Sequence, residues 1–182
     1  MIKLVSEPIR PIAETGDLPQ ALKRDLSDKI SEVVIFRDEV TLVVPCEHII
    51  AVLTHLRDVQ QFNMLTDETC VDYYPREPRF GILYQLYSLT RNIRLRVKVM
   101  LSEYDPVMPT AVGVYRNANW LEREIYDLFG IRFEGHPDLR RILLPADWQG
   151  HPLRKEVPVT VEENAFSFNR ARVDAQKPYA TE

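Results

Sequence analysis

The chain has 182 residues, 45% of them hydrophobic, with a formal net charge of −4 and a pI near 5.6. That length fits one domain plus an arm, with apolar content for an ordinary core. The charge gives no electrostatic footprint for nucleic acid, which requires Lys and Arg in excess along one face. The longest stretch without a charge runs from Phe80 to Thr90, well short of the roughly 20 apolar residues that a spanning helix needs. Met1 to Arg10 mixes apolar, charged and proline residues without an apolar signal-peptide core, so the expected address is cytoplasmic.

In chain order, Asp17 offers a helix cap, and Leu18, Leu22, Leu26 and Ile30 repeat every fourth residue, which predicts a helix over 18–30. Val33 to Phe36 and Val40 to Val44 read as a hairpin around Arg37, Asp38 and Glu39, closed by Pro45. Over 46–61, Ile49, Val52, Leu53, Leu56 and Val59 form the apolar stripe of a second helix. Three strands follow at 69–74, 80–89 and 93–101. In the last, Ile93, Leu95, Val97, Val99 and Leu101 alternate with Arg94, Arg96, Lys98 and Met100, so one face is core and the other wet. The sum is an α+β fold, a mainly antiparallel sheet with helices packed on one face.

After a proline-containing link at 105–109 and a short turn at 110–115, Asn119 is a candidate cap for a helix over 120–129 with Gly130 as its stop. Residues 131–155 are loop-rich, and 156–182 show no periodicity, which divides the chain into a domain over 1–155 and an extended C-terminal arm over 156–182. Phe166, Phe168 and Tyr179 are what such an arm would use to hold another protein; a disordered end is the competing reading.

Few residues stand in a pattern that carries chemistry. The six glycines are isolated, so neither a dinucleotide-binding turn nor a P-loop is present. Cys46 and Cys70 lack C-x-x-C spacing and read as reduced structural thiols. His48 and His55 lie seven residues apart, about 10 Å along a helix, too far to share a metal, and read as solvent-edge residues. His136 and His151 each sit in a Gly-His-Pro triplet near Asp138 and Asp147. Two histidines and a carboxylate would suit zinc or iron in a free-standing metallohydrolase. The preferred reading is that these imidazoles fix loops through the backbone.

The helix at 120–129 is the most informative segment. Trp120, Arg123, Glu124 and Asp127 fall in one arc, and Leu121, Ile125, Leu128 and Phe129 in the adjoining one. The two carboxylates of the first arc, Glu124 and Asp127, are expected to pair with Arg123 or with Arg132, Arg140, Arg141, Arg154 and Lys155, fixing loops that lack regular hydrogen bonding and building a docking surface with no catalytic group.

The run from Trp120 to Ile131, followed by 135–143 and 150–155, closely resembles the signature of the 30 kDa subunit family of proton-pumping NADH:quinone oxidoreductase, respiratory complex I. Asp72 to Pro75, Arg79-Phe80 and the strands at 83–89 and 95–99 extend the resemblance over roughly 30–156. It implies a non-redox subunit of the peripheral arm, docked on the large quinone-site subunit on the cytoplasmic side of the cell membrane. FMN, iron–sulfur clusters and quinone would reside in partner subunits, with none held by this chain. Related chains serve membrane-bound hydrogenases and the ferredoxin-linked photosynthetic complex. The sequence departs from the family at Glu156, where Asp is usual, and at Val157 to Thr160, which replaces a Pro-Leu-Thr-Gly stretch. The stretch from Leu144 to Trp148 is similar to bacterial and cyanobacterial versions.

Overall fold

A computed structural model describes residues 18–37, 39–157, 168 and 170–176. Helix α1 (Leu18–Asp25) buries Leu22 and then hands Leu26 to a turn in which the Ile30 amide still bonds Leu26 O, so the periodic run is helical only to Asp25. The proposed Asp17 cap lies outside the described residues. Strands β1 (Glu32–Phe36) and β2 (Glu39–Val43) form the expected hairpin, in register from Glu32 opposite Val43 to Phe36 opposite Glu39. A single 3-10 turn at Cys46–His48 leads into α2 (Ile49–Asp58). Ile49, Val52, Leu53 and Leu56 of α2 are buried, whereas Val59 is 57% exposed, because the helix ends at Asp58 and the stripe ends with it.

Helix α2 carries the chain to the far edge of the sheet, where β3 (Met64–Asp72), β4 (Phe80–Ser88) and β5 (Ile93–Leu101) run back as an antiparallel meander. The strand order is β1-β2-β5-β4-β3, and the last strand returns to lie parallel to β2, Leu42 opposite Val97. The sheet is therefore mainly antiparallel with one parallel junction. Such a junction requires a crossover, and α2 with the meander supplies it. Val40, Leu42, Val97, Val99, Ile82, Tyr84 and Leu86 face the α2 side and are buried. Thr41, Val43, Arg96, Lys98 and Met100 on the other face are partly solvated, as the alternation in β5 required.

Strand β3 begins five residues earlier than its sequence suggests, with a register irregularity between Leu65 and Asp67. A second, two-stranded sheet was not foreseen. Strands β6 (Val107–Pro109) and β7 (Arg132–Glu134) pair in parallel, and α3 (Ala118–Phe129) makes the crossover. Helix α3 starts before Asn119. Its cap position is Asn117, whose side chain makes no cap bond and instead donates to Leu65 O at 2.7 Å, fastening the helix start to β3. Gly130 ends α3 with φ +76°, as its position predicted. Beyond residue 157 the described structure is Phe168, in a turn and exposed, and a short helix α4 (Arg170–Gln176); the rest of the arm past residue 157, Phe166 and Tyr179 included, lies outside the described residues.

Candidate functional site: a loop platform clamped on the third helix

Asp127 is the centre of the 120–155 segment. It sits on α3, fully buried, and its Oδ2 accepts the amides of Ile142, Leu143 and Leu144 at 3.0, 2.8 and 2.9 Å, while Oδ1 takes Arg141 Nη1 at 2.6 Å. One carboxylate thus gathers three consecutive peptide groups of a loop that has no ladder of its own. Burial pushes this carboxyl up, but the three amides and Arg141 outweigh it and hold the group below its ordinary value. Arg141 continues outward, with Nη2 donating to Trp148 O at 2.8 Å and Gly150 O at 3.1 Å.

Arg123 is buried, and among the described residues no carboxylate bonds it. Its Nε and Nη2 donate to the carbonyls of Arg140 and Arg141, both at 3.1 Å, and its guanidinium lies 5.5 Å from the Trp120 ring centroid. Glu124 is exposed and has no hydrogen-bond or ion-pair partner among the described residues. The single paired arc inferred from sequence is therefore split. Arg123 and Asp127 turn under the loop and hold its backbone, Trp120 stands 58% exposed, and Glu124 faces water. Glu122 is fully buried on the opposite side, a position the arcs did not single out.

The cations expected around α3 divide in the same way. Arg132 pairs with Asp105 at 3.1 Å and Arg140 with Asp138 at 2.9 Å, both on the surface, where such pairs contribute little. Arg154 Nε donates to Phe129 O at 2.6 Å and its guanidinium lies over the Phe80 ring, 5.3 Å away. Lys155 contributes its amide, which donates to Asp72 Oδ2 at 2.9 Å. Only Arg141 meets a helix α3 carboxylate.

Both Gly-His-Pro histidines bond the backbone. His136 Nδ1 accepts the Asp138 amide at 3.0 Å, so its proton is on Nε2 and faces Asn119 O at 3.1 Å. His151 Nδ1 lies 2.9 Å from Asp127 O, and its ring meets Tyr126 edge-on. Burial lowers the basicity of His151 against the pull of the Asp127 carbonyl. A Cβ at Gly130 would come within 2.5 Å of the His151 ring, so glycine there answers both the positive φ and the close approach. Among the described residues no three His, Cys, Asp or Glu side chains converge as a metal-binding group.

A second constellation ties this platform to the sheet. Arg79 donates through Nε and Nη2 to the two oxygens of Asp72 at 2.9 and 2.7 Å, with both side chains almost wholly buried. It also pairs with Glu103 at 2.8 Å and with Glu156, and it lies between Tyr74 and Phe80. Burial pushes the Asp72 carboxyl up, yet Arg79 and the Lys155 and Tyr74 amides bring it far below the usual carboxylate range. In the sequence Asp72 and Arg79 mark the family resemblance, with no pairing assigned to them. Their signal is an acid and an arginine bracketing a proline-rich turn, which brings two residues seven apart face to face.

Elsewhere, Cys46 and Cys70 are free thiols, Cys70 being pushed up to about 12, mainly by burial. His55, read as a solvent-edge residue, is half-buried, with Nε2 enclosed and without a hydrogen-bond partner among the described residues. No helix among the described residues is long and apolar enough to cross a membrane.

Fold and clamp together define a two-layer α+β domain whose buried charges hold surface loops in place. A family model described as "Respiratory-chain NADH dehydrogenase, 30 Kd subunit" matches residues 42–163. The NADH-quinone oxidoreductase C subunit of Roseiflexus sp. (strain RS-1) is 46% identical over 165 residues, covering 90% of this chain and 95% of that one. Its counterpart in Brucella ovis is 51% identical over 147 residues, covering 80% and 72%. Among solved structures, "Nqo5 of the trypsin-resistant fragment (1-134)" superposes with a TM-score of 0.60 at 36% identity, covering 67% of this chain and 98% of that one. A chain of the membrane-bound sulfane sulfur reductase, an archaeal respiratory membrane complex, shares the fold with a TM-score of 0.68 at 20% identity, covering 90% and 95%. The chain belongs to the 30 kDa subunit family of respiratory-chain NADH dehydrogenases.

Proposed function

We propose that this chain is the non-redox 30 kDa subunit of a complex I type NADH:quinone oxidoreductase, docking on the large quinone-site subunit at the cytoplasmic side of the membrane. In this reading FMN, iron–sulfur clusters and quinone belong to the partners, and the domain supplies a rigid surface on which the electron-transfer arm assembles. Its C-terminal arm, from 156 onward, extends the contact over neighbouring subunits. The names of the relatives support the complex, and the clamp supports the role.

The observation that carries the proposal is what the clamp displays. With their amides fixed on Asp127, Ile142 and Leu143 point outward, Leu143 being 62% exposed, and Trp120, Leu153 and Val157 are exposed nearby in sequence or on the same framework. Apolar side chains on a backbone immobilised from below are a partner's anchoring points, since little ordering remains to be done on binding.

The test is affinity purification of the chain from gently solubilised host membranes, with the co-purifying subunits identified by mass. Wild-type chain should recover the large quinone-site subunit. The double variant Ile142→Ser, Leu143→Asp should reduce that recovery by about tenfold or more while the isolated chain keeps its unfolding midpoint. Undiminished recovery of the whole complex with the variant would overturn the docking assignment.

A further inference from the structure

Two glutamates lie in the interior between the sheet and α3, apart from the Asp127 and Asp72 constellations. Glu68 is midway along β3, opposite Tyr84 of β4, and is 3% exposed; Glu122 is on α3 and fully buried. Glu122 is served by two donors, Thr110 Oγ1 at 2.5 Å and the Ala111 amide at 2.6 Å. Neither carboxyl oxygen of Glu68 finds a hydrogen bond of proper geometry among the described residues.

Among the described residues the neighbours provide no lysine or arginine as counter-charge. From β4 comes the Tyr84 hydroxyl, which approaches Glu68 as a weak donor and lies 3.9 Å from Met108 Sδ of β6. From the loop after β7 comes His136, whose Nε2 lies 3.9 Å from Glu122 Oε2 but directs its proton to Asn119 O. Cys46 of the 3-10 turn approaches Tyr84, and Asp67 flanks Glu68 on its own strand. No lysine or arginine among the described residues bonds either carboxylate.

An ionised carboxylate in this interior, approached by one phenol hydroxyl and by no cation among the described residues, is too costly to persist, and a second carboxylate beside it raises the cost further. We propose that Glu68 and Glu122 form a proton-binding site, in which Glu68 is carried as the neutral acid and the pair takes up protons from water when α3 packs on β3. Burial first, then the neighbouring Glu122, push the Glu68 carboxyl well above its ordinary value. Burial likewise pushes Glu122 up to about 7 against its two donors. Raised carboxyls give a fixed sign. Their contribution is complete below the ordinary glutamate value, where the unfolded chain is also protonated, and it is lost as pH rises through about 7 and beyond.

The experiment is a carboxyl-carbon NMR titration of the full chain labelled at glutamate, paired with thermal unfolding between about pH 5 and pH 9. One glutamate signal should stay in the neutral-acid position after the others have ionised and vanish in Glu68→Gln, and a second, absent in Glu122→Gln, should move near neutrality. Relative to wild type, Glu68→Gln should gain unfolding temperature toward alkaline pH and lose that advantage toward acid, a comparison that cancels opposing titrations such as that of His151. Ordinary titration of every glutamate in the wild-type chain, or a Glu68→Gln effect independent of pH, would overturn the site. If Glu68→Gln fails to fold, the wild-type titration decides alone.

Discussion

Arg79 and Asp72 meet in a two-bond fork, Nε to Oδ1 at 2.9 Å and Nη2 to Oδ2 at 2.7 Å, with each side chain no more than 2% exposed. Removing either half leaves the other charged and enclosed. Arg79→Met should therefore cost about 3–5 kcal/mol in denaturant unfolding. Arg79→Lys, which keeps the charge but not the planar fork, should cost less yet not be silent.

The same pair sets the acid limb of stability. The Asp72 carboxyl is depressed in the folded chain, so its contribution is present above the ordinary aspartate value and is lost as pH falls below it. Asp72→Asn should lower stability at neutral pH and flatten the decline below about pH 4, read from unfolding midpoints across an acid series.

Asp127 and Glu124 make a contrasting pair on one helix. Asp127→Ala strips three amides and Arg141 of their acceptor and should cost about 3 kcal/mol or more, with faster protease cleavage between 138 and 152. Glu124→Ala, on the exposed side, should stay within about 0.5 kcal/mol of wild type in the same assays.

Gly130→Ala combines a left-handed backbone with a collision against the His151 ring. It should destabilise by more than the roughly 1 kcal/mol that positive φ alone costs a non-glycine residue, and thermal unfolding with His151→Ala in the same chain should recover part of the loss.

Much of the sheet was legible because its signal is local. In β5 every second residue is apolar from Ile93 to Leu101, and burial follows that period. The first half of β3 was not legible, because Thr66, Asp67 and Glu68 read as polar although Glu68 is buried. Strands of three residues such as β6 and β7 have too few positions to show a period, and they are defined by the helix between them. On α3 the arcs located Asp127, and Arg141 was among the loop cations expected to meet it, but Arg123 was assigned a carboxylate where it found two carbonyls, since sequence spacing cannot say which loop atoms will lie above a helix. The signature residues were visible as a group, and the partition between internal clamp and outer surface required the fold.

The parallel junction between β2 and β5 also governs the order in which this chain can be finished. Leu42 leaves the ribosome long before Val97, its neighbour in the completed sheet, so the hairpin β1-β2 emerges with one flank open until the meander is synthesised. Val34, Ile35 and Phe36 on that hairpin are exposed even at the end. Nascent chains stalled before β5 should be where this protein most depends on chaperones.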